Sequence, residues 1–251
     1  MKTVGLDLAA EPERTAVATI HWSDHSAEVT SLVLGVDDLC ALGYLGSADK
    51  VGIDCPFGWP VPFIDFLDSH RNGHVRVPHN LHGLAWRKTL AFRETDAVVR
   101  ATTGLIPLSV AADRIGHTAM RCAGLLAALA AQGNPVDRTG SGSVVEVYPA
   151  AALRHWALPH KGYKRPANLT SLGVLVDQLG ERMPWLHLGA HEALCRRSDD
   201  ALDAVVCALV ARAVVLGRVQ QPDARQLKRA RTEGWIAVPT CAPADLVGGP
   251  A

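Results

Sequence analysis

The sequence predicts an α/β fold: a mixed five-stranded sheet, three antiparallel strands followed by parallel ones, flanked by helices, with an insertion between strands four and five. Three observations predict it. Apolar or alternating runs at 2–8, 15–22 and 27–34 are joined by short connections, which favours an antiparallel meander. A helical pattern at 37–46 separates the third run from a fourth at 49–54, and a helix between two strands usually makes their partners parallel. A fifth run, at 143–148, follows only after a long insertion at about 58–135.

The first strand, Lys2-Thr3-Val4-Gly5-Leu6-Asp7-Leu8, closes on an acid, as does the fourth at Asp54. The stretch 58–87 is rich in Pro, Gly and His without sustained period, so it reads as irregular loop with one helical turn at 61–69; a loop this long usually covers a site. Helices are expected at 93–101 and 111–132, the second stopped by Gly133-Asn134-Pro135. Helical patterns recur at 150–157 and 168–180. Ser198 is a good N-cap for a long helix at 199–216, which ends before Gly217. In it Leu202, Val205, Val206, Leu209, Val210 and Ala213 form one stripe, with Asp203 at its edge and Asp200 further round, so both carboxylates face a groove beside the packed side. A short strand or hairpin arm at 233–239 completes a single domain over 1–240, and 241–251 reads as a flexible tail.

Composition bounds the function. The 251 residues, 48% apolar, suffice for a sizeable core. Twenty-five Lys and Arg balance twenty-five Asp and Glu, so no global basic field drives non-specific nucleic-acid binding, and any such contact is local. The six cysteines show no CxxC pairing, which argues against a zinc ribbon or a disulfide scaffold. With no basic-apolar leader and no apolar run near the roughly 18 residues of a membrane span, the expectation is a cytoplasmic protein with no membrane partner.

Four stretches set acids where an element should end: Gly5-Leu6-Asp7-Leu8-Ala9, Gly52-Ile53-Asp54-Cys55-Pro56, Val145-Glu146-Val147-Tyr148-Pro149 and Asp199-Asp200-Ala201-Leu202-Asp203-Ala204. An unpaired buried carboxylate costs several kcal/mol, on the order of a domain's net stability. Carboxylates converging from separate elements repel each other, and a hard divalent cation relieves that repulsion. A metal site holding Mg²⁺ or Mn²⁺ is therefore the leading expectation. The plainer alternatives are helix capping for Asp7 and Asp54, a helix-dipole role for Asp200, and a basic partner for Glu146. Arg93 and Asp96 lie three apart and form either a surface pair or a functional one, in which Arg93 holds a substrate phosphate or orients a carboxylate. The histidine pairs 70/74, 79/82 and 187/191 lack the cysteine partners of a zinc site, and Gly73 and Gly189 interrupt the first and the last of them.

The order of elements resembles an RNase H-like fold, in which acids come from the first strand, the fourth strand and the last helix. Asp7, Asp54 and the Asp200/Asp203 pair stand at those places. Together with Arg93-Glu94-Thr95-Asp96, Glu146-Val147-Tyr148-Pro149 and Glu233-Gly234-Trp235-Ile236, these motifs resemble the family called domain of unknown function 429, over roughly residues 2–240.

The resemblance implies a metal-dependent nuclease or phosphodiesterase cleaving a nucleic acid or nucleotide by two-metal hydrolysis. Asp7 is then the bridging ligand, Asp54 and Asp203 flank it, and Glu146 or Asp200 completes the ligands of the second metal. Asp7, Asp54, Glu146 and Asp203 are the catalytic set, with Arg93, Asp96 and Lys164 toward the substrate. The competing expectations are a non-catalytic RNase H-like binding protein and an actin- or sugar-kinase-like phosphotransferase. The latter lacks its Gly-rich phosphate turn in Leu8-Ala9-Ala10-Glu11-Pro12.

Overall fold

The computed structural model describes residues 1–248. The chain runs β1 (Lys2–Asp7), β2 (Ala16–Trp22), β3 (Ala27–Leu34), α1 (Asp38–Leu45), β4 (Lys50–Asp54), α2 (Val61–Arg71), α3 (Gly83–Ala91), α4 (Glu94–Thr103) and α5 (Gly116–Ala131). It continues through β5 (Val144–Val147), α6 (Pro149–His155), α7 (Leu169–Arg182), β6 (Leu186–His187), α8 (Glu192–Cys195), α9 (Asp199–Val215), α10 (Gln226–Glu233) and β7 (Ile236–Ala237). The sheet order is β6-β3-β2-β1-β4-β5-β7. β1, β2 and β3 are antiparallel neighbours, while β4 is parallel to β1, and β5 to β4.

The sheet has seven strands where five were expected. The two additions, β6 and β7, are two residues each and sit at the edges, parallel to β3 and β5. A two-residue strand leaves no periodicity to read, because its pairing is set by its neighbour.

The sheet separates two cores by strand parity. On one face, Ala16, Ala18, Ile20, Val145 and Val147 pack with α6, α7 and α9. On the other, Val4, Leu6, Val17, Val51, Ile53 and Val144 pack with α1 and α5. Helix α9 is enclosed rather than amphipathic: every residue from Ala201 to Ala213 is buried. Its close seating depends on two glycines. A Cβ on Gly5 would lie 1.9 Å from the Ala204 carbonyl oxygen, and one on Gly52 would lie 2.4 Å from that of Cys207.

Two further expectations are corrected. The stretch 58–87 is not mainly irregular, since α2 and most of α3 lie in it as a helical hairpin that buries none of its own residues. Without a buried stripe these helices lack the signal by which helices are read from sequence. Residues 241–248 are not a frayed tail: Leu246 is fully buried and its carbonyl accepts from Arg212 Nε at 3.1 Å. The remainder of that expected tail, 249–251, lies outside the described residues.

Candidate active site

Asp7 and Asp54 end neighbouring parallel strands in register, each two residues beyond the glycine that admits α9. Side chains two apart share a face, so both carboxylates leave the sheet toward α9, with their backbones about 4.8 Å apart. Ala204 and Cys207 of α9 rest on the glycines. Asp203, nearer the start of the same helix, therefore faces the strand ends where Asp7 and Asp54 stand. Ser198 caps this helix by accepting from the Ala201 amide at 3.2 Å.

Asp203 is wholly buried, and its Oδ1 accepts from the buried Tyr163 hydroxyl at 2.8 Å. The Lys164 ammonium lies 2.6 Å from Oδ2. Among the described residues this ion pair is the one polar contact of Oδ2. Lys164 is half exposed and reaches in from the loop after α6. The next residue, Arg165, holds φ 86° and ψ 150°, a region that only glycine enters without strain. Such strain persists only where the surroundings impose it.

The electrostatics follow from this enclosure. Desolvation, then repulsion from Asp54 and Asp203, pushes the Asp7 carboxyl well above the usual range. Desolvation raises Asp54 to about 7; Lys164 opposes the rise, while Asp203 and Glu146 add to it. Asp203 is raised by burial against the pull of Lys164 and Tyr163. Burial disfavours the Lys164 ammonium, yet the carboxylates of Asp203, Asp54 and Asp7 outweigh it and hold its pKa well above the ordinary value. Three carboxylates thus share one cation.

The remaining expected site residues are committed elsewhere. Glu146 is in register with Ile53, so it leaves the sheet on the face opposite Asp54. There it is 2% exposed and receives Arg93 in a two-pronged pair, at 2.7 Å to Oε1 and 2.9 Å to Oε2, with the Phe57 amide also donating to Oε2 at 2.9 Å. Arg93 spends its other donors on Asp96 and the Glu233 carbonyl, so every guanidinium N–H is engaged and none is left for a substrate. Asp96 is buried and faces Arg93. Asp200 is bound by Arg14 at 2.6 and 2.7 Å.

Three contributors escaped the sequence. Tyr163 and Arg14 carry no local signal; Arg14 meets a carboxylate 186 positions away. Glu233 lies in a motif that resembled the family, but its role needed coordinates. Its carboxylate accepts from the Val61 amide at 2.9 Å and the Glu94 amide at 2.7 Å, closing the N-terminal ends of α2 and α4. Gly234 follows at φ 86°, where a Cβ would stand 2.5 Å from Glu146 Oε2.

A cleft of about 430 Å³ opens beside Asp54, lined by Tyr148, His160, Lys161, Tyr163 and Lys164 and faced by Pro107, Leu108 and Ile115. Among the described residues, no three His, Cys, Asp or Glu side chains come together as a metal-holding group. The donor chemistry is that of hard oxygen ligands: two carboxylates in register, and a third whose Oδ2 is held by the Lys164 ammonium.

Fold and site define an α/β protein with an aspartate cluster, Asp203 buried and Asp7 and Asp54 partly exposed, at the C-terminal ends of two parallel strands. The family model described as protein of unknown function, DUF429, matches residues 5–226, and the chain belongs to that family. No curated protein and no solved structure matches the chain. Among the described residues no helix is long and apolar enough to cross a membrane.

Proposed function

We propose that the protein is an RNase H-like, divalent-metal-dependent phosphodiesterase acting on a nucleic acid or nucleotide, with Asp7, Asp54 and Asp203 as its acidic centre. The observation that carries this is the register of Asp7 with Asp54 beneath the buried Asp203. Three like-charged groups at one place, Asp203 fully buried and Asp7 and Asp54 partly so, are costly to hold with a single ammonium. The order of strands and acids supports the RNase H-like assignment.

The three carboxylates would hold Mg²⁺ or Mn²⁺, which when bound supplies Lewis acidity toward phosphoryl oxygens. The chain's own residues do the rest. Tyr163 fixes Asp203 by its hydroxyl, and α9 excludes water from the underside of the centre. Lys164, on the cleft side, is the group available to a substrate phosphate once it leaves Asp203. Glu146, Arg93 and Asp96 act as positioning residues, bracing the Cys55-Pro56-Phe57 turn that follows Asp54.

One observation favours a second reading. The Lys164–Asp203 pair partly neutralises the cluster from within, as suits a protein that binds without cleaving. A Mg²⁺ and Mn²⁺ titration of wild type and Asp7→Asn separates the two, read by thermal shift and by cleavage of labelled single-stranded, double-stranded and branched DNA and RNA. Metal-dependent stabilisation and cleavage, both lost in Asp7→Asn, are expected. Absence of any shift at millimolar metal would refute the metal centre and leave the binding protein.

A further inference from the structure

Two clefts share a wall. The cleft beside Asp54 and a larger one of about 640 Å³ both include Arg93 and Pro107 in their lining. The larger cleft runs between the end of α3 and α4, with Phe92 and Ile106 as apolar walls and Lys88, Arg100 and Arg229 as cationic ones. Arg229 is paired with Glu94 at 3.0 Å. Lys88 and Arg100 enter no ion pair among the described residues.

From Lys88 the surface continues onto the α2–α3 hairpin. Residues 61–92 hold four Arg or Lys and four of the eleven histidines against two acids, Asp65 and Asp68; Arg71 is paired with Asp68, which leaves Arg76, Arg87 and Lys88 without an ion pair among the described residues, in a chain whose formal charge is zero. The positive charge is therefore concentrated locally. Phe66 meets Trp86 edge-on at 6.1 Å. Neither helix buries a residue, and Leu67 and Leu84 are 48% and 59% exposed, so the hairpin adds little to the core and leaves apolar area facing water.

We propose that the two clefts and the hairpin form one track for a single-stranded polynucleotide, with one phosphate at the aspartate centre and its neighbours running past Lys88 and Arg100 toward Arg76 and Arg87. Cations alternating with apolar and aromatic walls suit unpaired bases, which stack on such surfaces while the backbone meets the charges. A duplex hides its bases and would leave those walls uncovered. RNA and DNA strands share this chemistry. The inference rests on the phosphodiesterase reading only for the phosphate at the centre.

The test is fluorescence anisotropy in EDTA with labelled single-stranded RNA, single-stranded DNA and duplex, comparing wild type with Arg76→Glu/Arg87→Glu/Lys88→Glu and, separately, with Arg100→Glu on α4. Single strands should bind more tightly than duplex. The triple variant should weaken binding by about tenfold or more, with a shallower salt dependence, as lost phosphate contacts require. Arg100→Glu should weaken it in the same direction. Equal binding by wild type and both variants, preference for duplex, or no binding to any strand overturns the track. Self-association in sedimentation that the triple variant abolishes would also overturn it, by assigning the hairpin to a second copy. Metal-free binding that persists without any metal-dependent cleavage would refute the phosphodiesterase reading alone.

Discussion

The Lys164 ammonium stands 2.6 Å from Oδ2 of Asp203, joining a half-exposed loop to a helix that the core encloses. One cation from the chain therefore occupies the place where the charge of three carboxylates most needs relief.

If that ammonium competes with a divalent ion, Lys164→Met should bind Mn²⁺ more tightly than wild type, by about tenfold for ~1.4 kcal/mol of lost competition. Isothermal titration calorimetry reads this directly. The same variant should cleave more slowly, having lost its phosphate partner. Weaker Mn²⁺ binding in Lys164→Met would show that the ammonium is no competitor.

The Asp54 carboxyl gives a pH dependence with a definite sign. Folding raises it from the ordinary 3.8 to about 7, chiefly by desolvation. The folded state therefore holds the proton more tightly, and this contribution is fully present below the unfolded value and lost as pH rises toward 7. In EDTA, Asp54→Asn should gain on wild type as pH goes from 4 to 8. At pH 8 the gain should reach about 2–4 °C in Tm for each kcal/mol relieved. A difference in Tm that does not change with pH would contradict it.

The Arg93 network should govern stability rather than affinity. Arg93→Met strands Glu146 and Asp96 as buried unpaired charges, which costs about 3–5 kcal/mol. Urea denaturation should show that loss. Oligonucleotide affinity, measured where the variant remains folded, should stay near wild type, because no Arg93 donor faces the cleft.

Gly5→Ala tests the seating of α9. Its Cβ would stand 1.9 Å from one helix backbone atom and 2.4 Å from another, the Ala208 nitrogen, so the helix must move. A loss of about 3 kcal/mol or more in chemical denaturation is expected, together with loss of metal binding. Gly43→Ala, on α1 with no atom within 4 Å of its Cβ, is the control and should stabilise by about 0.5–1 kcal/mol.

Much of this arrangement was legible in residue order. Each Gly-x-Asp unit couples a glycine that admits a helix to a carboxylate one pleat further on, and the period of two in a strand transmits that relation without knowledge of the fold. The same period carried the warning about Glu146. Its register partner is Ile53 rather than Asp54, and register depends on how strands far apart in sequence pair. Helix α3 was hidden, and α2 was read only as one helical turn at 61–69, because they bury nothing and periodicity reports burial rather than helicity.

By itself the sequence determined that acids close β1 and β4 and begin α9, that β1–β3 form a meander, and that the charges balance. Local spacing and propensity decide such things within a few residues. Only the tertiary structure decided the acids' neighbours: Asp7 beside Asp54 in register, Asp203 paired with Lys164, Glu146 claimed by Arg93 and Asp200 by Arg14. Those assignments join residues tens to hundreds of positions apart, and a buried charge takes the partner that packing brings within reach.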